Sequence, residues 1–155
     1  NKRVSKILDC YIQKEHVKVY PDTTELPELL QEMSKKLHDS GFISDTKGFY
    51  EDVLLREKNY PTTLGLQMMV PHALFTFADK TGIEVALLKK PFEHHGNQVQ
   101  LVFLLALEKK RNDEMNLLFQ FFNQIVSHKK YMHALLQSED SDAFIKNLYS
   151  FKLLE

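Results

Sequence analysis

The stretch Arg56-Glu57-Lys58-Asn59-Tyr60-Pro61-Thr62-Thr63-Leu64-Gly65-Leu66-Gln67-Met68-Met69-Val70-Pro71-His72-Ala73 decides how the chain is read. It leaves a helical pattern, crosses a polar turn, enters a short apolar run and stops at Pro-His. An ionisable residue directly after a buried strand stands where open α/β sheets carry their sites, at the strand's carboxyl end. Pro71 fixes its own φ and restricts Val70, so the backbone entering His72 is stiff. That stiffness suits a group presented to a partner.

Outward from this stretch the pattern is helix, strand, helix. Leu66 to Val70 reads as a strand, followed by Glu84 to Lys89 and Val99 to Leu107. The last is nearly continuous in apolar residues, as a strand buried on both faces would be. Upstream, Val17 to Tyr20 alternates like a short strand. Leu26, Leu29, Leu30, Met33 and Leu37 recur at helical spacing, with Thr23 or Thr24 as cap and Gly41 as stop. A second helix is expected from Ser44 or Asp45 to about Lys58, with Tyr50, Val53 and Leu54 on its apolar stripe. Downstream, Asn112 or Asp113 opens a helix carrying Leu117, Leu118, Phe121, Phe122 and Ile125. A short helix is expected over Lys129 to Leu136, and Ser141 caps the last. Val4 to Ile12 has mixed periodicity and predicts no element. Helices bracketing a run of strands imply an α/β sandwich.

The chain has 155 residues, the size of one domain, with residues 1–15 a candidate N-terminal extension or linker remnant. Lysine plus arginine number 20 and aspartate plus glutamate 21, for a net charge of −1. So even a balance gives no electrostatic reason to expect nucleic acid or an anionic membrane as partner. The longest apolar run, Leu101 to Leu107, is far short of the roughly 20 residues of a membrane helix. No signal-peptide pattern opens the sequence, and Cys10 is its one cysteine, so a reducing cytoplasm is the expected setting.

The quoted stretch resembles the active-site region of the type-2 EIIA domains of the bacterial phosphoenolpyruvate-dependent sugar phosphotransferase system. That family pattern is an Arg-Glu pair, a Thr-containing turn, a hydrophobic strand, then Pro-His and a small residue. Here these are Arg56-Glu57, Thr62-Thr63, Met68-Met69-Val70, Pro71-His72 and Ala73, with His72 16 positions after Arg56. The Arg-Glu-x-x-Tyr-Pro-Thr form is most similar to the galactitol-type branch. Gly41-Phe42, the strand from Val99 and the helix after Asp113 extend the likeness to roughly residues 16–150. Two departures stand out. Ala73 replaces the usual glycine or threonine, and Glu114 occupies the place of the second histidine of mannitol-type members.

The resemblance implies a central mixed β-sheet flanked by helices and a phosphoryl relay. His72 would accept a phosphoryl group from phospho-HPr and pass it to a cysteine of a cognate EIIB domain. A neutral imidazole is a good nucleophile near pH 7, and its phosphoramidate is reactive enough to donate in turn. Neither metal nor cofactor is expected. Arg56 is the candidate charge for the phosphoryl oxygens, through its planar fork. An ion pair with Asp52, four residues earlier at a helix end, would account for it without function. Thr62 and Thr63 are candidate phosphoryl-oxygen donors, and ordinary turn residues otherwise. Glu114 is a candidate second-site position or simply a first-turn helix charge.

The remaining histidines carry less. His94-His95-Gly96 reads as an exposed turn between strands, and His16, His38, His128 and His133 as surface residues. Cys10 reads as a buried small residue. The alternative to a carrier is a regulatory EIIA-like domain of a transcriptional regulator or antiterminator, where phosphorylation of His72 is a signal. In neither case would this domain touch nucleic acid or insert in a membrane.

Overall fold

The computed structural model describes residues 2–65, 67–109 and 113–150. Five strands form one sheet: β1 (Val17–Tyr20), β2 (Thr63–Leu64), β3 (Met68–Met69), β4 (Gly82–His94) and β5 (Asn97–Ala106). Among the described residues the α-helices are α1 (Lys2–Tyr11), α2 (Leu26–Asp39), α3 (Thr46–Asn59), α4 (Asp113–Ser127), α5 (Lys129–Leu136) and α6 (Ser141–Tyr149). The strand order is β1-β4-β5-β3-β2. β1 runs parallel to β4 and β3 parallel to β5, whereas β4–β5 and β2–β3 are antiparallel. The sheet is mixed, as expected.

The unbroken apolar run of β5 is explained by helices on both faces. Leu101, Phe103 and Leu105 pack with Leu118, Phe121, Phe122 and Ile125 of α4, and with α5 and α6. Val102, Leu104 and Ala106 pack with Leu29, Leu30, Met33 and Leu37 of α2 and Phe49 and Val53 of α3. Successive strand residues point to opposite faces, so every residue from Leu101 to Ala106 is sealed from water. β3 follows the same alternation, Met68 on one face and Met69 on the other.

Turn chemistry fits the elements it joins. β4 and β5 meet through His95 and Gly96, with φ of 49° and 86°, as a two-residue hairpin loop demands. β4 is longer than the sequence suggested. It continues past Lys89 through a register shift between Leu87 and Phe92, where Pro91 sits. Proline is tolerated in a strand at such an irregularity because no ladder N–H is missed.

Several expectations are corrected. Lys2 to Tyr11 is a helix, which buries Leu8 and, just beyond its end, Ile12. Cys10 is exposed, not buried, because it lies about half a turn round from that inner stripe. α2 begins at Leu26 with Glu25 in the cap position, and neither Thr23 nor Thr24 caps it. Asp140, not Ser141, caps α6, accepting from Ala143 N–H at 2.8 Å. Asp45 caps α3 through Gly48 N–H at 2.9 Å, one of the two expected positions. Phe49 and Val53 with Glu57, rather than Tyr50 and Leu54, are its buried stripe. His16 is not a surface residue: its Nδ1 lies 2.7 Å from Oε1 of Glu84 in β4. Burial pushes the Glu84 carboxyl above its usual range, against the opposing pull of His16.

Phe103 is fully buried and its ring centroid lies 4.8 Å from that of Phe122. Phe103→Ala is expected to cost about 3–5 kcal/mol, read by urea denaturation followed by circular dichroism. A loss below about 1 kcal/mol would contradict a strand packed on both faces.

Candidate functional site

His72 leaves the sheet at the end of β3. Pro71 O accepts from Leu105 N–H at 2.9 Å, and His72 itself pairs with Leu105 in a parallel bridge. The backbone under the imidazole is therefore tied to the sealed central strand. The His72 ring is half-buried and stands edge-on to Phe119 of α4, centroids 6.1 Å apart. Its Nδ1 is 2.9 Å from Val70 O. A carbonyl oxygen can only accept, so Nδ1 donates, and a neutral ring then carries its lone pair at Nε2.

Arg56 and His72 line the same cleft, of about 160 Å³, together with Phe49, Ala73, Thr76 and Glu108 among others. Arg56 reaches it from the last turn of α3. Its Nε is buried and has no hydrogen-bond partner, a state shared among the described residues only with Ser34 Oγ. A buried guanidinium N–H without an acceptor is costly, and Arg56 as a lining residue brings a positive charge to the cleft. Glu108 is turned to other work, its Oε2 accepting from Thr81 N–H at 3.2 Å and Thr81 Oγ1 at 2.9 Å. A larger groove of about 540 Å³ lies beside the cleft and not at His72. It shares Arg56, Leu74 and Thr76 with the cleft and carries the exposed side chains of Leu55, Tyr60 and Phe75.

The Asp52–Arg56 ion pair that would have accounted for Arg56 without function does not form among the described residues. Asp52 accepts instead from the backbone N–H groups of Leu74, Phe75 and Thr76 at 3.1, 2.8 and 2.7 Å. Burial pushes its carboxyl up, but these backbone donors outweigh that and hold it below its usual range.

Thr62 and Thr63 are not brought into the cleft. Thr62 is buried, and both its N–H, at 3.2 Å, and its hydroxyl donate to the Glu57 carboxylate. Thr63 lies in β2 opposite Met69, its Oγ1 accepting from Asn97 Nδ2 at 3.4 Å. The polar turn is held from within and offers neither hydroxyl to the His72 cleft. Glu114 falls in the first turn of α4, and its side chain lies outside the described residues.

The sequence reading missed the centre of that turn. Glu57 is fully buried and also binds His94 Nε2 at 2.9 Å, while His95 Nε2 donates to Glu57 O at 3.0 Å. The His94-His95 pair is a strand turn as expected, but His94 is buried in it, not exposed. One signal was available: an acidic residue in a helix's last turn opposes the helix dipole and so implies a compensating partner.

Glu57→Ala would strand the His94 imidazole and the Thr62 N–H in the interior. It is expected to cost about 3–5 kcal/mol in a denaturant titration, and a loss within about 0.5 kcal/mol would remove Glu57 as the organiser of the turn. Asp52 gives a pH signature. A depressed carboxyl stabilises the fold above its unfolded pKa, near 4, and that gain is lost as pH falls through the folded value. Asp52→Asn should therefore lower Tm at pH 7, with the wild-type advantage shrinking in acid; an advantage that grows in acid would refute this.

Residues 10–150 match the family described as "Phosphoenolpyruvate-dependent sugar phosphotransferase system, EIIA 2". Among curated proteins, the chain is 27% identical over 90% of its length to the "Probable licABCH operon regulator" of Bacillus subtilis. It is 34% identical over 54% of its length to the 2-O-alpha-mannosyl-D-glycerate-specific EIIABC component of Escherichia coli. The chain spans 22% and 13% of the lengths of these two relatives. Among solved structures, it aligns with enzyme IIAMTL from the Escherichia coli complex with phosphorylated enzyme IIBMTL. The TM-score is 0.74 at 18% identity, over 90% of this chain and 98% of that one. With a sheet of the expected kind and an unbroken match over residues 10–150, this chain belongs to the EIIA 2 family of the sugar phosphotransferase system.

Proposed function

We propose that this domain carries a phosphoryl group on His72, taken from phospho-HPr and passed to a cysteine of an EIIB domain. The observation that carries the reading is a single cleft lined by both the His72 imidazole and Arg56. In the first transfer His72 Nε2 attacks phosphorus as the bond to the donor breaks, and the Val70 carbonyl keeps the ring proton on Nδ1. In the second the cysteine thiolate attacks the same phosphorus, and the P–N bond returns its electron pair to Nε2. Arg56 offsets charge on the phosphoryl oxygens in both directions, which is where phosphoryl transfer needs help most. The exposed apolar side chains of Leu55, Tyr60 and Phe75 beside the cleft suit brief docking through a small interface. The solved relative in complex with a phosphorylated IIB partner supports EIIB as the acceptor.

A second reading has specific support. Two relatives that match most of this chain are regulators, the licABCH protein at 27% identity and ManR of Bacillus subtilis at 25%. In a regulator the phosphoryl group on His72 would act as a signal. Both readings share the first transfer and part at the second.

The test begins with labelled phosphoenolpyruvate, Enzyme I and HPr. Label is expected on His72 and absent from His72→Ala; an unlabelled wild-type protein overturns both readings. Arg56→Ala is expected to slow labelling about a hundredfold with the fold intact. An unchanged rate would reduce Arg56 to a helix-end charge. Label that moves to an EIIB cysteine supports the carrier, and label that stays supports the regulator.

A further inference from the structure

The loop after His72 is held by an acid that sits one turn before Arg56 on the same helix. Three consecutive backbone N–H groups, those of Leu74, Phe75 and Thr76, converge on the Asp52 carboxylate. Leu74 and Thr76 are themselves walls of the cleft that holds His72 and Arg56. The Thr76 hydroxyl also donates to Gly48 O at 3.4 Å, a second tie between this loop and α3. An aspartate four residues before an arginine ordinarily pairs with it. Here its oxygens face the loop, and the Arg56 Nε–H stays without a partner.

We propose that Asp52 is a positioning residue for phosphoryl transfer at His72. Its carboxylate clamps residues 74–76 to α3, fixing the wall of the cleft, and its engagement with backbone leaves the Arg56 guanidinium without an acidic partner on its own helix. This rests on the phosphoryl-acceptor reading above. The depressed carboxyl of Asp52 agrees with it, since only the ionised group accepts from three donors at once.

The sign of the effect separates positioning from simple charge. Removing a carboxylate near an incoming phosphoryl dianion would, by Coulomb attraction and repulsion alone, speed the transfer. Loss of a clamp slows it.

The experiment uses the full chain and two donors: phospho-HPr, and phosphoramidate, a small donor that needs no docking surface. Labelling of His72 is followed by phosphorus NMR at saturating donor. Asp52→Asn is expected to react about tenfold more slowly with both donors while keeping its circular dichroism spectrum. Asp52→Ser takes its place if the asparagine variant does not fold. A rate equal to or above wild type in the folded variant overturns the proposal. Amide exchange of the unmodified protein gives an independent check: Phe75 and Thr76 are expected to be protected, and fast exchange at both overturns the clamp without any variant. A wild-type protein that takes no label on His72 is a different failure, that of the phosphoryl-acceptor reading itself.

Discussion

Water is excluded from both sides of Leu101 to Ala106, and the architecture follows from that constraint. A strand apolar on both faces needs a cover on each. α4, α5 and α6 supply one layer, and α2 and α3 the other. Each layer takes alternate residues of the same strand, so neither can be lost without exposing half of it. The short strands depend on this one. β3 has only Met68 and Met69 in its ladder, too little to hold a position alone, yet it lies parallel to β5 with both side chains sealed. His72 inherits its placement from that pairing through the Pro71 and Leu105 backbone bond.

The last turns of α3 then divide three charged residues among three tasks. Glu57 faces inward and binds the turn that leads to β3, through Thr62 and His94. Asp52 faces the loop that leaves His72. Both acids are engaged by backbone or buried donors, and neither is joined to Arg56. One helix thereby fixes the chain on either side of the imidazole while lining the same cleft with Arg56. Local charge would have predicted a different result, since Asp52 and Arg56 at helical spacing attract each other in an isolated helix. Tertiary hydrogen bonds from three N–H groups outweigh that attraction, which is worth only about 0.2–0.5 kcal/mol in model helices.

What was legible in the sequence follows from the same distinction between local and long-range physics. Strong periodicity located α2, the Asp45 cap signal marked the start of α3 although its stripe was misplaced, and the unbroken apolar run marked β5 as buried twice. α5 matched its expected span of Lys129 to Leu136 because its ends are set locally. α1 was missed; Leu8 on it and Ile12 just beyond its end are buried, and it packs against α4, a contact distant in sequence. The site was half legible. His72 and Arg56 could be paired by their spacing within a recognisable pattern. The duties of Thr62, His94 and Asp52 could not, because each is decided by a partner 5 to 37 positions away across a turn or a strand. His16 fails for the same reason, its partner Glu84 lying 68 positions on.

The proposed relay would place an unusual demand on such a site, and the cleft's sparse chemistry would suit it. A domain that both accepts and donates a phosphoryl group gains nothing by holding it tightly, because stabilising the phosphorylated state as much as the transition state leaves the second step no faster. The useful donors are those whose interaction strengthens only while charge spreads over the equatorial oxygens in flight. One guanidinium at the rim of a small cleft fits that demand better than a closed cradle of many donors. The Thr62 hydroxyl and N–H, which would have added to such a cradle, are bound to Glu57 instead. Stiffness is concentrated in the backbone around His72, through Pro71, Leu105 and the Asp52 contacts, while under the proposed function direct contacts to the travelling group would be few. A relay site built this way would trade affinity for turnover in both directions.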